Sequence, residues 1–132
     1  MVVAVDVPVI GSGDVTSAED VLRRRTETGC AAIQVGRAAL GNPLLFARWP
    51  RGDDAQPVSW VADASERRAA LARHVALYRE FVGDARAARE LRKHVGYYFR
   101  GLPGVSRFRA AAQRAERCDE LLALADHLLG RN

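Results

Sequence analysis

Two short apolar runs in this chain, residues 7–10 and 31–35, each lead straight into a glycine-bearing turn. The first reads Pro8-Val9-Ile10-Gly11-Ser12-Gly13-Asp14; 22 residues beyond Asp14 stands Gly36-Arg37, followed by Ala38-Ala39-Leu40-Gly41-Asn42-Pro43. Between them Thr16-Ser17-Ala18-Glu19 has the pattern of a capping box, opening a helix through residue 25 that Gly29 is placed to end. Strand, helix, strand in this order predicts a parallel pair with both glycine turns at the same sheet end. The last two strands of a TIM (β/α)₈ barrel hold a phosphate in this way. Such a reading also implies that most of the barrel is absent from these residues.

The chain has 132 residues, which suits one domain or two incomplete ones. At 48% hydrophobic and 27% charged it is expected to fold. No apolar run approaches the roughly 18 residues of a membrane span. Met1 to Val5 is followed at once by Asp6 and Pro8, a poor signal peptide. Cys30 and Cys118 stand alone, without metal-binding spacing, and read as thiols in a reducing cytoplasm. A metal site is not expected.

Charge is divided unevenly. Residues 1–66 carry six arginines against nine acids, whereas residues 67–132 carry fourteen bases against seven acids. From Arg86 to Arg117 only Glu90 and Glu116 oppose nine bases. A face this basic attracts polyanions, with nucleic acid the first candidate. Charge alone leaves an arginine-rich, merely soluble helical face equally open.

The expected organisation is an incomplete barrel portion at 1–49, a linker at 50–64 and a helical domain at 65–132. Asn42-Pro43 starts a short helix at 44–49, and Arg23-Arg24-Arg25 is expected to face solvent. Pro50-Arg51-Gly52-Asp53-Asp54-Ala55-Gln56-Pro57 reads as linker, with Trp49 and Trp60 packing barrel against helices. Beyond it Leu71, His74, Val75, Tyr78, Phe81 and Val82 form one apolar stripe. After Gly83-Asp84 a second helix, 85–100, carries Leu91, Val95, Tyr98 and Phe99; two shorter helices follow at 106–117 and 119–129. His74 reads as a core histidine, while Tyr97 and Tyr98 divide between core and surface, one of them a candidate to stack on a nucleotide.

In the glycine turns the backbone can approach a ligand closely, Asp14 can accept from a ribose or ribityl hydroxyl, and Arg37 offers a forked contact to phosphate. On the second helix Arg89, Arg92, Lys93 and Arg100 are expected in solvent, since Leu91, Val95 and Tyr98 need the other face, and His94 joins them as a candidate for RNA.

The segments 7–15, 28–31 and 35–46, together with Glu90-Leu91-Arg92-Lys93-His94-Val95-Gly96-Tyr97-Tyr98-Phe99-Arg100-Gly101-Leu102-Pro103-Gly104, resemble the C-terminal portion of the tRNA-dihydrouridine synthases, closest to their bacterial NifR3-like branch. The resemblance implies an FMN enzyme that reduces uridine in tRNA with NAD(P)H. FMN phosphate would lie at Gly11, Ser12, Gly13, Asp14, Gly36 and Arg37, although Ser12 departs from the family's usual Asn. The general-acid Cys of the family belongs to earlier strands, so no catalytic residue is expected here, and the 132 residues alone are expected to be inactive. The alternatives are a piece of another FMN barrel, such as a dihydroorotate dehydrogenase-like enzyme, and a non-enzymatic RNA-binding helical module.

Overall fold

A computed structural model of the chain describes residues 5–47 and 62–130. The chain divides into two compact units, Met1–Val61 and Ala62–Asn132. It is mostly helical, with one small parallel sheet.

The first unit runs β1 (Ile10–Ser12), α1 (Ala18–Thr28), β2 (Ala32–Gln34), a 3₁₀ turn (Arg37–Ala39) and α2 (Leu44–Ala47). β1 and β2 are parallel, with Ile10 opposite Ala32, Gly11 opposite Ile33 and Ser12 opposite Gln34. Parallel neighbours need a crossover, which α1 supplies. The chain therefore leaves both strands at one end of the sheet. Val15, Ala18, Val21 and Leu45 form the core, with Ile33, Val35, Ala38 and Ala39 packed on it.

Both strands are shorter than the apolar runs predict, and β1 is displaced. It starts at Ile10 rather than residue 7 and takes Gly11 and Ser12 into the ladder. Pro8 has no N–H to give such a ladder. Gly11 is needed there for space: a β-carbon would stand 2.9 Å from Ile33 Cδ1 and 3.1 Å from Cys30 Sγ.

The capping box also sits one residue later than expected. Ser17, not Thr16, is the N-cap of α1, its hydroxyl accepting from the Asp20 N–H at 3.1 Å. Asp20, not Glu19, closes the box, accepting from the N–H of Ser17 and from both the N–H and hydroxyl of Thr16. The Thr16 N–H, then its hydroxyl, hold the Asp20 carboxyl below its ordinary range. Gly29 ends the helix in the left-handed region, φ 72°, its N–H donating to Arg25 O. α2 closes at Ala47, short of residue 49.

The second unit contains α3 (Ala64–Val82), α4 (Asp84–Tyr98), α5 (Val105–Ala112) and α6 (Cys118–Leu128). Asp63 and Glu66 make a reciprocal capping box on α3, at 2.8 and 2.9 Å. Gly83 alone joins α3 to α4 with φ 84°. The core gathers Leu71, Val75, Leu91, Val95, Phe99 and Leu121 at no more than 1% exposure. Phe108 meets Phe99 edge-on, 5.2 Å between centroids. Ala87, Ala88, Ala112, Ala115 and Ala125 are buried among them.

Phe81 is corrected out of the apolar stripe: it is 83% exposed. It lies about 100° around the helix from Val82, which packs against the core in its place. α5 ends at Ala112 rather than 117, in successive bonds from Arg114 N to Ala111 O and from Ala115 N to Ala112 O. Between α3 and α6, Arg68 donates from Nε and Nη2 to both carboxylate oxygens of Asp126, at 2.8 and 2.7 Å. Most of the expected linker, 50–61, and both tryptophans lie outside the described residues. Among those described, no helix is long and apolar enough to cross a membrane, and no group of acids, histidines and cysteines is arranged to hold a metal.

Candidate functional site

In the first unit the two glycine turns meet. Arg37 Nη2 donates to Asp14 Oδ1 at 2.9 Å, and both side chains stay largely exposed, at 82% and 73%. A pair this open remains available to a ligand, because one bond to Asp14 leaves most of a guanidinium's five N–H donors free to turn elsewhere. Nothing lies within 4 Å of where a Gly36 β-carbon would stand, so the approach to that backbone is clear.

Arg24 departs from expectation. Instead of facing solvent with Arg23 and Arg25 it is half-buried, donating from Nη2 to Asp14 O at 3.3 Å. A β-carbon on Gly13 would stand 2.9 Å from Arg24 Nη1, so the glycine here makes room for the arginine. Arg37 thus reaches the carboxylate of Asp14 and Arg24 the backbone carbonyl of the same residue. The arrangement can receive a phosphate-sized anion, with Asp14 left to accept from a neighbouring hydroxyl. Ser12 is exposed within β1, and Gly11 is enclosed by Ile33 and Cys30.

In the second unit a cleft of about 500 Å³ opens between α4 and α5. Four-residue spacing on α4 aligns Arg92 with Gly96, with Lys93 and Tyr97 beside them, and Arg100 follows from the turn beyond the helix. α5 and the turn after it add Arg109 and Gln113. None of the described residues lining the cleft is acidic. The Arg100 guanidinium lies over the Tyr97 ring, 5.2 Å from its centroid. Arg109 Nη2 donates to Gly96 O at 3.3 Å.

Arg92 is not the free surface base the sequence predicts. It is half-buried, and its Nε donates to Ala115 O at 2.9 Å, tying α4 to the turn beyond α5. Arg89 is exposed one turn before it on the same stripe. His94 faces elsewhere, its ring 6.3 Å from that of His74 on α3. His74 Nδ1 and the Tyr98 hydroxyl are 3.0 Å apart, within hydrogen-bonding distance. Burial, then the neighbouring His94, pushes His74 below its usual range; burial, then Lys93, does the same to His94. Tyr98 is buried and Tyr97 half-buried. Beside them the Tyr78 hydroxyl and Arg86 Nε donate to Glu90, whose carboxyl is held low, chiefly by the Tyr78 bond. Burial raises the Cys118 thiol to about 11, which leaves it a poor nucleophile.

Arg24, Arg109 and Gln113 were not among the predicted site residues, and Tyr97 was singled out only together with Tyr98. The signal for Arg109 was Gly96, a glycine inside a helix with no turn to explain it.

The sequence profile described as "Dihydrouridine synthase (Dus)" matches residues 2–131. A probable tRNA-dihydrouridine synthase of Mycobacterium tuberculosis (strain CDC 1551 / Oshkosh) is 34% identical over 124 residues, covering 94% of this chain and 32% of that protein. The tRNA-dihydrouridine synthase B of Pseudomonas aeruginosa is 35% identical over 119 residues, 88% of this chain and 35% of the relative. A probable tRNA-dihydrouridine synthase of Aquifex aeolicus is 31% identical over 116 residues, 88% and 35%. The chain spans about a third of the length of these curated relatives.

Proposed function

Because this chain belongs to the dihydrouridine synthase family, we propose that it is the C-terminal portion of an enzyme that reduces uridine to 5,6-dihydrouridine in tRNA. The observation that carries the tRNA half of this reading is the cleft lined by Arg92, Lys93, Arg100 and Arg109, with no carboxylate among the described residues of its walls. Folded RNA is met largely through its backbone and shape, and bases arranged in this way answer phosphates. Arg89 extends the same stripe.

The paired glycine turns support a flavin phosphate site. The open backbone at Gly36, the exposed fork of Arg37 and the second guanidinium of Arg24 suit the phosphate of FMN. Ser12 and Gly13 would approach from the first turn, and Asp14 would accept from a ribityl hydroxyl. Bound there, FMN would carry hydride from NAD(P)H to uracil. Residues 5–47 hold the anion and leave the proton donor to the remaining barrel strands.

Two experiments test this. Deleting the gene and analysing tRNA nucleosides by mass spectrometry is expected to remove dihydrouridine from one or more positions; unchanged levels overturn the proposal. In the complete enzyme, Arg37→Ala removes a charge-assisted contact worth roughly 1.5–3 kcal/mol. FMN affinity is expected to fall about ten- to a hundredfold, and unchanged affinity removes Arg37 from the site.

A further inference from the structure

The cleft between α4 and α5 holds groups that a phosphate alone does not call for. Tyr97 brings an aromatic ring, over which Arg100 already lies at 5.2 Å. Gln113 brings a neutral amide that both donates and accepts, as the edge of a nucleobase does. The volume, about 500 Å³, falls within the roughly 300–1,000 Å³ of pockets that enclose small ligands. Paired bases stay stacked within a double helix, so only an unpaired nucleotide presents its base face to an aromatic ring.

Gly96 gives this cleft its floor. Buried within α4, it leaves a gap that Arg109 fills, with Nε 2.6 Å from where a β-carbon would be. That side chain thereby crosses from α5 onto α4 and sets a cation opposite Arg92 and Lys93. Cations, a stacking platform and an amide around one open cleft match the parts of a single nucleotide.

Resting on the RNA-binding reading above, we infer that this cleft takes one unpaired nucleotide of the RNA, its base against Tyr97 and Arg100 and its phosphate among Arg92, Lys93 and Arg109. Unstacked bases in RNA loops are held in this manner, on aromatic rings and guanidinium planes. A free mononucleotide carries the same chemistry, so the test includes it as a separate source.

The test uses fluorescence anisotropy of the full chain with a labelled single-stranded oligoribonucleotide and a labelled RNA duplex of equal length. UMP and inorganic phosphate serve as competitors, and circular dichroism melts accompany each variant. Tyr97→Leu is expected to weaken single-strand binding about tenfold, the scale of base–aromatic stacking, while duplex binding stays within about twofold. Tyr97→Phe, which keeps the ring, is expected to behave as wild type and guards against a folding defect in the leucine variant. UMP is expected to compete only weakly, and phosphate not at all. Equal losses on single strand and duplex, or no loss on either, overturn the inference while leaving RNA binding in place. Competition by UMP as strong as by the oligonucleotide assigns the cleft to a free nucleotide and overturns the RNA assignment. A wild-type chain that binds no RNA defeats the RNA reading itself.

Discussion

Arg109 crosses α4 where Gly96 leaves room for it, its Nη2 donating to the Gly96 carbonyl at 3.3 Å. Glycine inside a helix costs about 1 kcal/mol relative to alanine, so the position gives up helix stability to place a cation. Gly96→Ala is predicted to leave the melting temperature unchanged or slightly higher while expelling Arg109 from the cleft. RNA affinity should fall severalfold, and the slope of log affinity against log salt should lose about one unit. An alanine variant with wild-type salt dependence would show that Arg109 makes no phosphate contact.

Arg92 and Lys93 are adjacent, yet their substitutions should separate. Arg92 Nε holds Ala115 O at 2.9 Å, whereas Lys93 is exposed. Arg92→Ala is predicted to cost about 1 kcal/mol of stability as well as RNA affinity. Lys93→Ala should weaken RNA binding alone. Denaturant melts read beside binding curves check both, and equal stability of the two variants would contradict the role of the Ala115 bond.

His74 makes the helical unit sensitive to acid. Burial and the nearby His94 lower its affinity for a proton in the folded chain, so the unfolded chain binds protons more readily. The sign follows: stability is full above the ordinary histidine range near pH 6.5 and declines as pH falls through that range toward the lowered folded value. Tyr98, Tyr78 and His94 surround the ring. His74→Gln is predicted to flatten the decline in melting temperature between about pH 7 and 5. A profile identical to wild type would locate the acid sensitivity elsewhere.

Arg68 and Asp126 join α3 to α6 through two parallel bonds, with the Arg68 side chain only 16% exposed. Arg68→Ala removes both bonds to Asp126, whose side chain is 34% exposed, and is predicted to destabilise the unit by about 1–2 kcal/mol. Arg68→Lys keeps the charge but not the fork and should recover only part of that loss. Full recovery by lysine would reduce the pair to simple charge attraction.

Much of this was legible in the sequence because it is local. Apolar runs before glycine predict the parallel pair, and Asp14 and Arg37, both picked from their turns, do meet. Other features were ambiguous at short range. Thr16 to Glu19 and Ser17 to Asp20 are overlapping frames of one capping pattern, and the choice fell to Asp20 because it accepts from Thr16 and Ser17 together. Three arginines in a row gave no means of choosing Arg24; its place depends on how α1 lies beside the turn. Arg109 and Gln113 enter the cleft only once α5 is laid on α4, a tertiary relationship that helical spacing does not carry.

Ala87, Ala88, Ala112, Ala115 and Ala125, all at or below 3% exposure, line the seams of the helical unit. Side chains this small let helices approach closely, and they leave no slack to absorb a larger one. In a saturation scan these five positions should be the least tolerant of added bulk, while the exposed cleft residues Lys93, Arg100 and Gln113 accept exchange with little loss of folding. If the cleft takes RNA as proposed, new preferences would be reached by repainting it, with the spacing of the helices held fixed.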